Sequence, residues 1–313
     1  MRRFIAEIVV FALVQAGILW AVWRACPRRA DHYAAASIDK RARLESAPSP
    51  RIVLVGGSTV AFGVDSCVFE AAGYHAVNMG HNRSLGLRFM LAQVERELRA
   101  GDVVVVAPEY QLLWGEAVDE TIITHVEHDP AGLRDLDLAT CRRLSEAGLV
   151  WIARKLRCAV HQLSTEAPIG YSRYDFDERG DFVAHRGRAP VAEAPLAVKW
   201  PRGQVDVSPQ IDRLDRFYAH CEAVGARCML ALPPIRADAL RAGRRVIDEI
   251  ERQLAADLDM PIILDADASS YPASSFYDGG DHLTGEAAIG RAQQLLAKLQ
   301  QAPARGGFRH ESR

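Results

Sequence analysis

Apolar residues fall along this chain in short unbroken runs, separated by stretches in which they recur every three or four positions. Ile52-Val53-Leu54-Val55 is such a run, closed by Gly56-Gly57, and has the pattern of a strand buried on both faces. Ala76-Val77 leads to Asn78 and Gly80. Leu87, Met90, Leu91, Val94 and Leu98 then mark a helix face before Gly101-Asp102 turns the chain into Val103–Val106. In the C-terminal half, Leu214, Phe217, Tyr218 and Cys221 predict a helix, and Cys228–Leu232 a strand closed by Pro233-Pro234. Leu240, Ile247, Ile250 and Leu254 predict another helix, and Pro261–Leu264 another strand. Ala288, Ala292, Leu295 and Leu299 mark a last helix that Thr284 can cap. Buried strands alternating with helices predict a three-layer α/β domain with a doubly wound parallel sheet, because parallel neighbours need crossovers and these cover both faces.

The N-terminus follows another pattern. Phe4 to Trp23 is apolar except at Glu7, Gln15 and Gly17. At about 1.5 Å per residue a helix of this length just crosses a hydrocarbon core. Residues 1–24 are therefore expected to form a transmembrane anchor, with Trp20 and Trp23 at one interface; a cleavable signal peptide would need a small residue where Trp23 stands. Residues 25–50, ending at Ser49-Pro50, read as a linker. The domain is expected over 51–302, with an insertion at about 111–207 that is helical around Cys141 to Leu163, and 303–313 as a flexible tail.

Composition narrows the function. The chain is 49% hydrophobic and 25% charged, as a folded globular protein is, and its net charge of -2 comes without long blocks of one sign, which argues against nucleic acid as a partner. Arg2 and Arg3 precede the apolar run, whereas Arg24, Arg28, Arg29, Lys40, Arg41 and Arg43 follow it, a count that by itself would keep the domain cytoplasmic. Cys26, Cys67, Cys141, Cys158, Cys221 and Cys228 have no metal-type spacing and leave the compartment open.

Ligands of open parallel sheets bind beyond the carboxyl ends of the strands, so the chemistry is sought in the loops there. Gly56-Gly57-Ser58 directly follows the first strand and would set a hydroxyl at the start of a helix, where backbone N–H groups can stabilise an oxyanion. The alternatives are a capping Ser on a plain turn, or a phosphate loop, for which the Lys is missing. Asp278-Gly279-Gly280-Asp281-His282 precedes the last helix and offers a base with an acid beside it. His125 and His128 lie one helical turn apart, without an evident third metal ligand, and are expected on a solvated face. Asp175, Asp177, Asp181 and His185 read as substrate contacts or as a charged surface loop. No cofactor or metal is expected.

Taken in order, Gly56-Gly57-Ser58, Asn78-Met79-Gly80 and the Asp with His282 resemble the blocks of SGNH (GDSL-like) hydrolases over about Arg51 to Leu299. Ala61-Phe62-Gly63, Gly101-Asp102 and Pro108-Glu109-Tyr110 resemble a membrane-anchored bacterial branch of that superfamily. The resemblance implies a flavodoxin-like SGNH fold, with Ser58 as nucleophile in the Gly57 turn, His282 as general base, and the N–H groups of Ser58 and Gly80 as oxyanion donors. This chain departs from the pattern in three places. The acid usually stands three residues before the His, where Gly279 lies, so Asp278 is favoured and Asp281 is the alternative. Gly80 precedes the usual glycine position, which Arg83 occupies. Glu109 stands where an Asn would donate, leaving Asn82 as a candidate donor. The implied function is a serine esterase or O-acetyltransferase acting on an acyl ester or polysaccharide of the cell envelope, such as an exopolysaccharide, with a membrane acyl-transfer partner and a periplasmic domain at the bacterial inner membrane. The alternative is a non-catalytic binding or assembly partner of a polysaccharide modification or export system.

Overall fold

The computed structural model describes residues 2–25, 29–115, 121–138, 140–142, 144, 148, 150–153, 155, 171–190, 198–278 and 281–301, with the side chains at 2, 19, 22, 23 and 25 excepted. The chain divides into two compact units, one of residues 1–38 and 118–174 and one of residues 39–117 and 175–313. The helix expected around Cys141 to Leu163 falls largely, and the tail at 303–313 wholly, outside the described residues.

In chain order the elements are α1 (Arg2–Ala25), α2 (Ala36–Ser46), β1 (Arg51–Val55), α3 (Ser58–Gly63), α4 (Cys67–Ala71), β2 (His75–Asn78), α5 (Leu87–Glu95), β3 (Val103–Val106), α6 (Tyr110–Trp114) and α7 (Thr121–His128). They continue with α8 (Ser208–Val224), β4 (Arg227–Ala231), β5 (Ile235–Arg236), α9 (Ala237–Asp257), β6 (Ile262–Leu264), β7 (Ser270–Tyr271), β8 (Phe276–Asp278), β9 (His282–Leu283) and α10 (Gly285–Gln301).

The larger unit is α/β. Its five-stranded sheet has the order β2-β1-β3-β4-β6 and is parallel throughout, an order compatible with a flavodoxin-like fold. Alternation explains the unbroken apolar runs. Ile52, Leu54, Val103, Val105 and Met229 join Val60, Phe69, Leu295 and Leu299 in one core cluster, under α3, α4 and α10. Val53, Val55, Val104, Val106 and Leu230 face the other way and are equally buried, on the side where α8 packs on β4 and α5 packs on α8. Each such side chain contributes about 1.5–3 kcal/mol on burial. Thr284 Oγ1 accepts from Ala287 N at 3.4 Å at the start of α10, the cap its position suggests.

At the amino end of the strands the sheet is tied by a buried ion pair. Arg51 and Asp102 are both fully buried; Arg51 Nε donates to Asp102 Oδ1 at 3.0 Å, and Asp102 also accepts from Ser49 Oγ and the backbone N–H of Arg99.

The smaller unit holds α1, a helix of 24 residues with apolar side chains exposed all round, from Phe4 and Ile5 to Ile18 and Trp20. Among the described residues no helix is long and apolar enough to cross a membrane, so the expected transmembrane span is not found. Near the start of α1, Arg3 Nε donates to Glu7 Oε1 at 3.2 Å, one turn along. The expectation that His125 and His128 lie on a solvated face is also corrected. His125 is buried and His128 is half-buried, stacked on His32 with ring centroids 4.6 Å apart, its Nδ1 2.9 Å from Thr124 O. Among the described residues no group of three or more His, Cys, Asp or Glu could hold a metal ion.

Removing one partner of the Arg51–Asp102 pair would strand a buried charge. Asp102→Ala is expected to lower the unfolding free energy by about 3–5 kcal/mol, read as a lower urea midpoint at unchanged slope. A loss below about 1 kcal/mol would mean the pair is not a structural tie.

Candidate active site

The strand order reverses between β1 and β3, and the loops leaving their carboxyl ends lie side by side. Gly57 is the N-cap of α3 and Ser58 its first residue, half-buried. Both glycines before Ser58 are required by close approach. A Cβ on Gly56 would lie 2.5 Å from the carbonyl oxygen of Ala107, just past β3, and one on Gly57 would lie 2.3 Å from the Glu109 carboxylate.

Glu109 is 2% exposed and turns its carboxylate onto this loop. Oε2 accepts from Gly57 N and Oε1 from Thr59 N, each at 3.2 Å, so the two N–H groups flanking Ser58 are held by one carboxylate. Burial pushes the Glu109 carboxyl up from its ordinary range; the N–H groups of Glu109 itself and of Thr59 pull the other way, as does Arg83, while Asp281 adds to the rise.

His282 enters from the antiparallel pair β8–β9, whose register sets Asp278 opposite His282. His282 Nδ1 is 2.6 Å from Asp278 Oδ1, and its ring lies on Phe62, with centroids 3.9 Å apart and 12° between planes. Phe62 also stacks with Phe182, at 4.0 Å and 16°, which leaves the phenyl ring between Phe182 and the imidazole. Phe62 is four residues after Ser58 on α3, one helical turn along the same short helix. Among the described residues no hydrogen bond engages Ser58 Oγ, to His282 or to any other group.

Asp281 turns away from the imidazole to Arg83, at 3.0 Å, and burial raises its carboxyl against the pull of Arg83 and His282. The two acids of the loop thus have separate partners. Gly80 packs against α3, where a Cβ would lie 2.5 Å from Ala61 N, and its N–H donates to Asn78 Oδ1 at 2.9 Å. Asn82 uses Oδ1 to accept from Ser84 N at 2.9 Å and caps its own turn.

Beneath these residues lies a polar network that the sequence pattern misses. Asn78 Nδ2 donates to Val60 O at 3.1 Å and to Asp181 Oδ1 at 2.8 Å, while Asp181 also accepts from Ser66 N and Ser66 Oγ, each at 2.7 Å. His185 Nε2 donates to Leu283 O at 2.9 Å and so holds the strand carrying His282. Asp181 is fully buried and His185 2% exposed, which corrects the reading of these two as surface-loop or substrate-contact residues. Burial lowers His185 to about 4, so the imidazole is neutral near pH 7 and Nε2 carries the proton. The sequence points to Phe62, Asn78, Asp181 and His185 but not to these structural roles; a signal for burial of the charged loop is the apolar pair Phe176 and Phe182 that brackets it. Compared with protein-family models and with curated proteins, the chain matches none.

Two outcomes follow. Gly56→Ala meets a backbone carbonyl that cannot rotate away, and is expected to cost about 1–3 kcal/mol in thermal or urea unfolding. The unfolded chain takes up a proton on His185 near the ordinary 6.5, and the folded protein only near 4, so the stability this residue contributes is complete above about 6.5 and is lost as pH falls towards 4. In His185→Gln the stability–pH slope between these values should flatten; an unchanged slope would contradict the assignment.

Proposed function

We propose that the protein is a serine esterase or O-acyltransferase of SGNH type. The observation that carries this reading is the Asp278–His282 pair, 2.6 Å apart, stacked on the ring one helical turn from Ser58. In the proposed reaction Ser58 Oγ attacks an acyl carbonyl and its proton passes to His282 Nε2. Asp278 holds Nδ1–H and stabilises the imidazolium, and the Ser58 N–H donates to the oxyanion. The same proton then leaves with the alcohol. The acyl group, held as an ester on Ser58, passes to water or to a sugar hydroxyl that His282 deprotonates. The resemblance in the Ser58, Gly80 and His282 blocks favours an acylated cell-envelope polymer or exopolysaccharide as substrate and the periplasmic side of the bacterial inner membrane as location. The exposed apolar residues of α1 favour attachment to that membrane, where an acyl-transfer partner would also lie.

A second reading, a non-catalytic binding or assembly partner in polysaccharide modification or export, is favoured by two observations. The Gly80 N–H is already bonded, and Glu109 brings acceptors where a third oxyanion donor would be needed.

A fluorophosphonate probe separates the two. Ser58 is expected to be labelled in the wild type and unlabelled in Ser58→Ala, with Asp278→Asn slowing labelling by about 10²–10⁴-fold through the wrong imidazole tautomer. A folded wild-type protein that takes no label would overturn the enzymatic reading.

A further inference from the structure

The carboxyl at position 109 lies where the resemblance would put a donor, and the geometry gives it another task. Its two oxygens bridge the N–H of the residue before Ser58 and that of the residue after it, at equal distances of 3.2 Å, from a side chain that is 2% exposed. A Cβ at Gly57 would lie 2.3 Å from the same carboxylate, so a side chain there could enter only by displacing Glu109. Both segments are fixed from behind: Glu109 follows β3, which pairs with β1 in register up to Val55↔Val106. The carboxylate is therefore a rigid strut between neighbouring strand ends, bearing on the short turn that carries the hydroxyl.

We infer that Glu109 is the positioning residue of the Ser58 turn, a carboxylate clamp that fixes Ser58 Oγ one helical turn from Phe62, on which His282 stacks. The clamp is specific to a carboxylate. A carboxamide of the same shape offers one acceptor oxygen and sets its NH₂ group against the second N–H, donor facing donor. The clamp also removes the Gly57 and Thr59 N–H groups from substrate binding, which leaves the Ser58 N–H as the backbone donor of this turn.

The inference rests on Ser58 being the nucleophile, and its test has one arm that does not. In the first arm, amide proton and nitrogen resonances of Gly57 and Thr59 are compared between wild type and Glu109→Gln. At least one is expected to shift upfield by more than any sheet amide of β2 or β4, as a charge-assisted bond is lost; two unmoved resonances would overturn the clamp. In the second arm, fluorophosphonate labelling of Ser58 is followed against probe concentration. Glu109→Gln is expected to lower the maximal rate roughly 10²-fold, the order of loss for a group displaced by about an ångström, with the half-saturating concentration unchanged. A Gln variant labelled at the wild-type maximal rate would overturn the positioning role even if the amides shift. If the wild type takes no label, the nucleophile reading fails, and the amide arm still decides whether Glu109 holds the turn.

Discussion

The site depends on an imidazole lying flat on a phenyl ring. Ser58 and His282 are more than two hundred positions apart in the chain, and nothing local brings them together. The link is Phe62, whose ring takes Phe182 on one side and His282 on the other, at 4.0 and 3.9 Å. Aromatic pairs of this kind add about 0.5–1.5 kcal/mol beyond the area they bury. More important here is direction. A stacked ring has its nitrogens in the plane parallel to the phenyl face, and Nδ1 is aimed at Asp278 Oδ1.

Holding that stack in place requires polar groups that are costly to bury. The carboxylates of Asp181 and Glu109 lie almost wholly out of water, and neither is stabilised chiefly by an ion pair; both are held by N–H and O–H donors. Such carboxylates are tolerable only when their hydrogen bonds are made, which constrains every segment that supplies a donor. The Asp181 network locks the turn after β2 to α3 through Asn78. Glu109 bonds the Ser58 turn to the end of β3. His185 locks the β9 backbone from the other side. The segments carrying Ser58, Asn78, Glu109, Asp181 and Leu283 are thereby joined by hydrogen bonds.

The sheet was legible in the sequence because its strands are buried on both faces, and such strands are written as unbroken apolar runs like Ile52–Val55 and Val103–Val106. The short pairings β5–β7 and β8–β9 were not legible, since strands of two or three residues have no periodicity to read. The apolar run at Phe4–Trp23 did announce a long helix, but length and composition alone did not decide what the helix crosses. Ser58 and His282 could be chosen from their loops because glycines beside a hydroxyl, and an acid beside a His, are local signals. The work of Asp181, His185 and Asn78 was hidden, because a charged residue is buried only where distant partners receive it. Ser66 and Asn78 are 115 and 103 positions away from Asp181. Glu109 was visible as an anomaly, whereas its role depends on the spacing of two strand ends that sequence does not state.

The claim that the two loops form one functional pair is tested most directly on His282 itself, through the nitrogen NMR spectrum of its imidazole in wild type and in Ser58→Ala. If the hydroxyl and the imidazole face each other, the Nε2 resonance moves when the hydroxyl is removed, while Nδ1 keeps the signature of its bond to Asp278. An Nε2 resonance that is the same in both proteins would mean that the two groups do not meet, and the account of the site would be wrong.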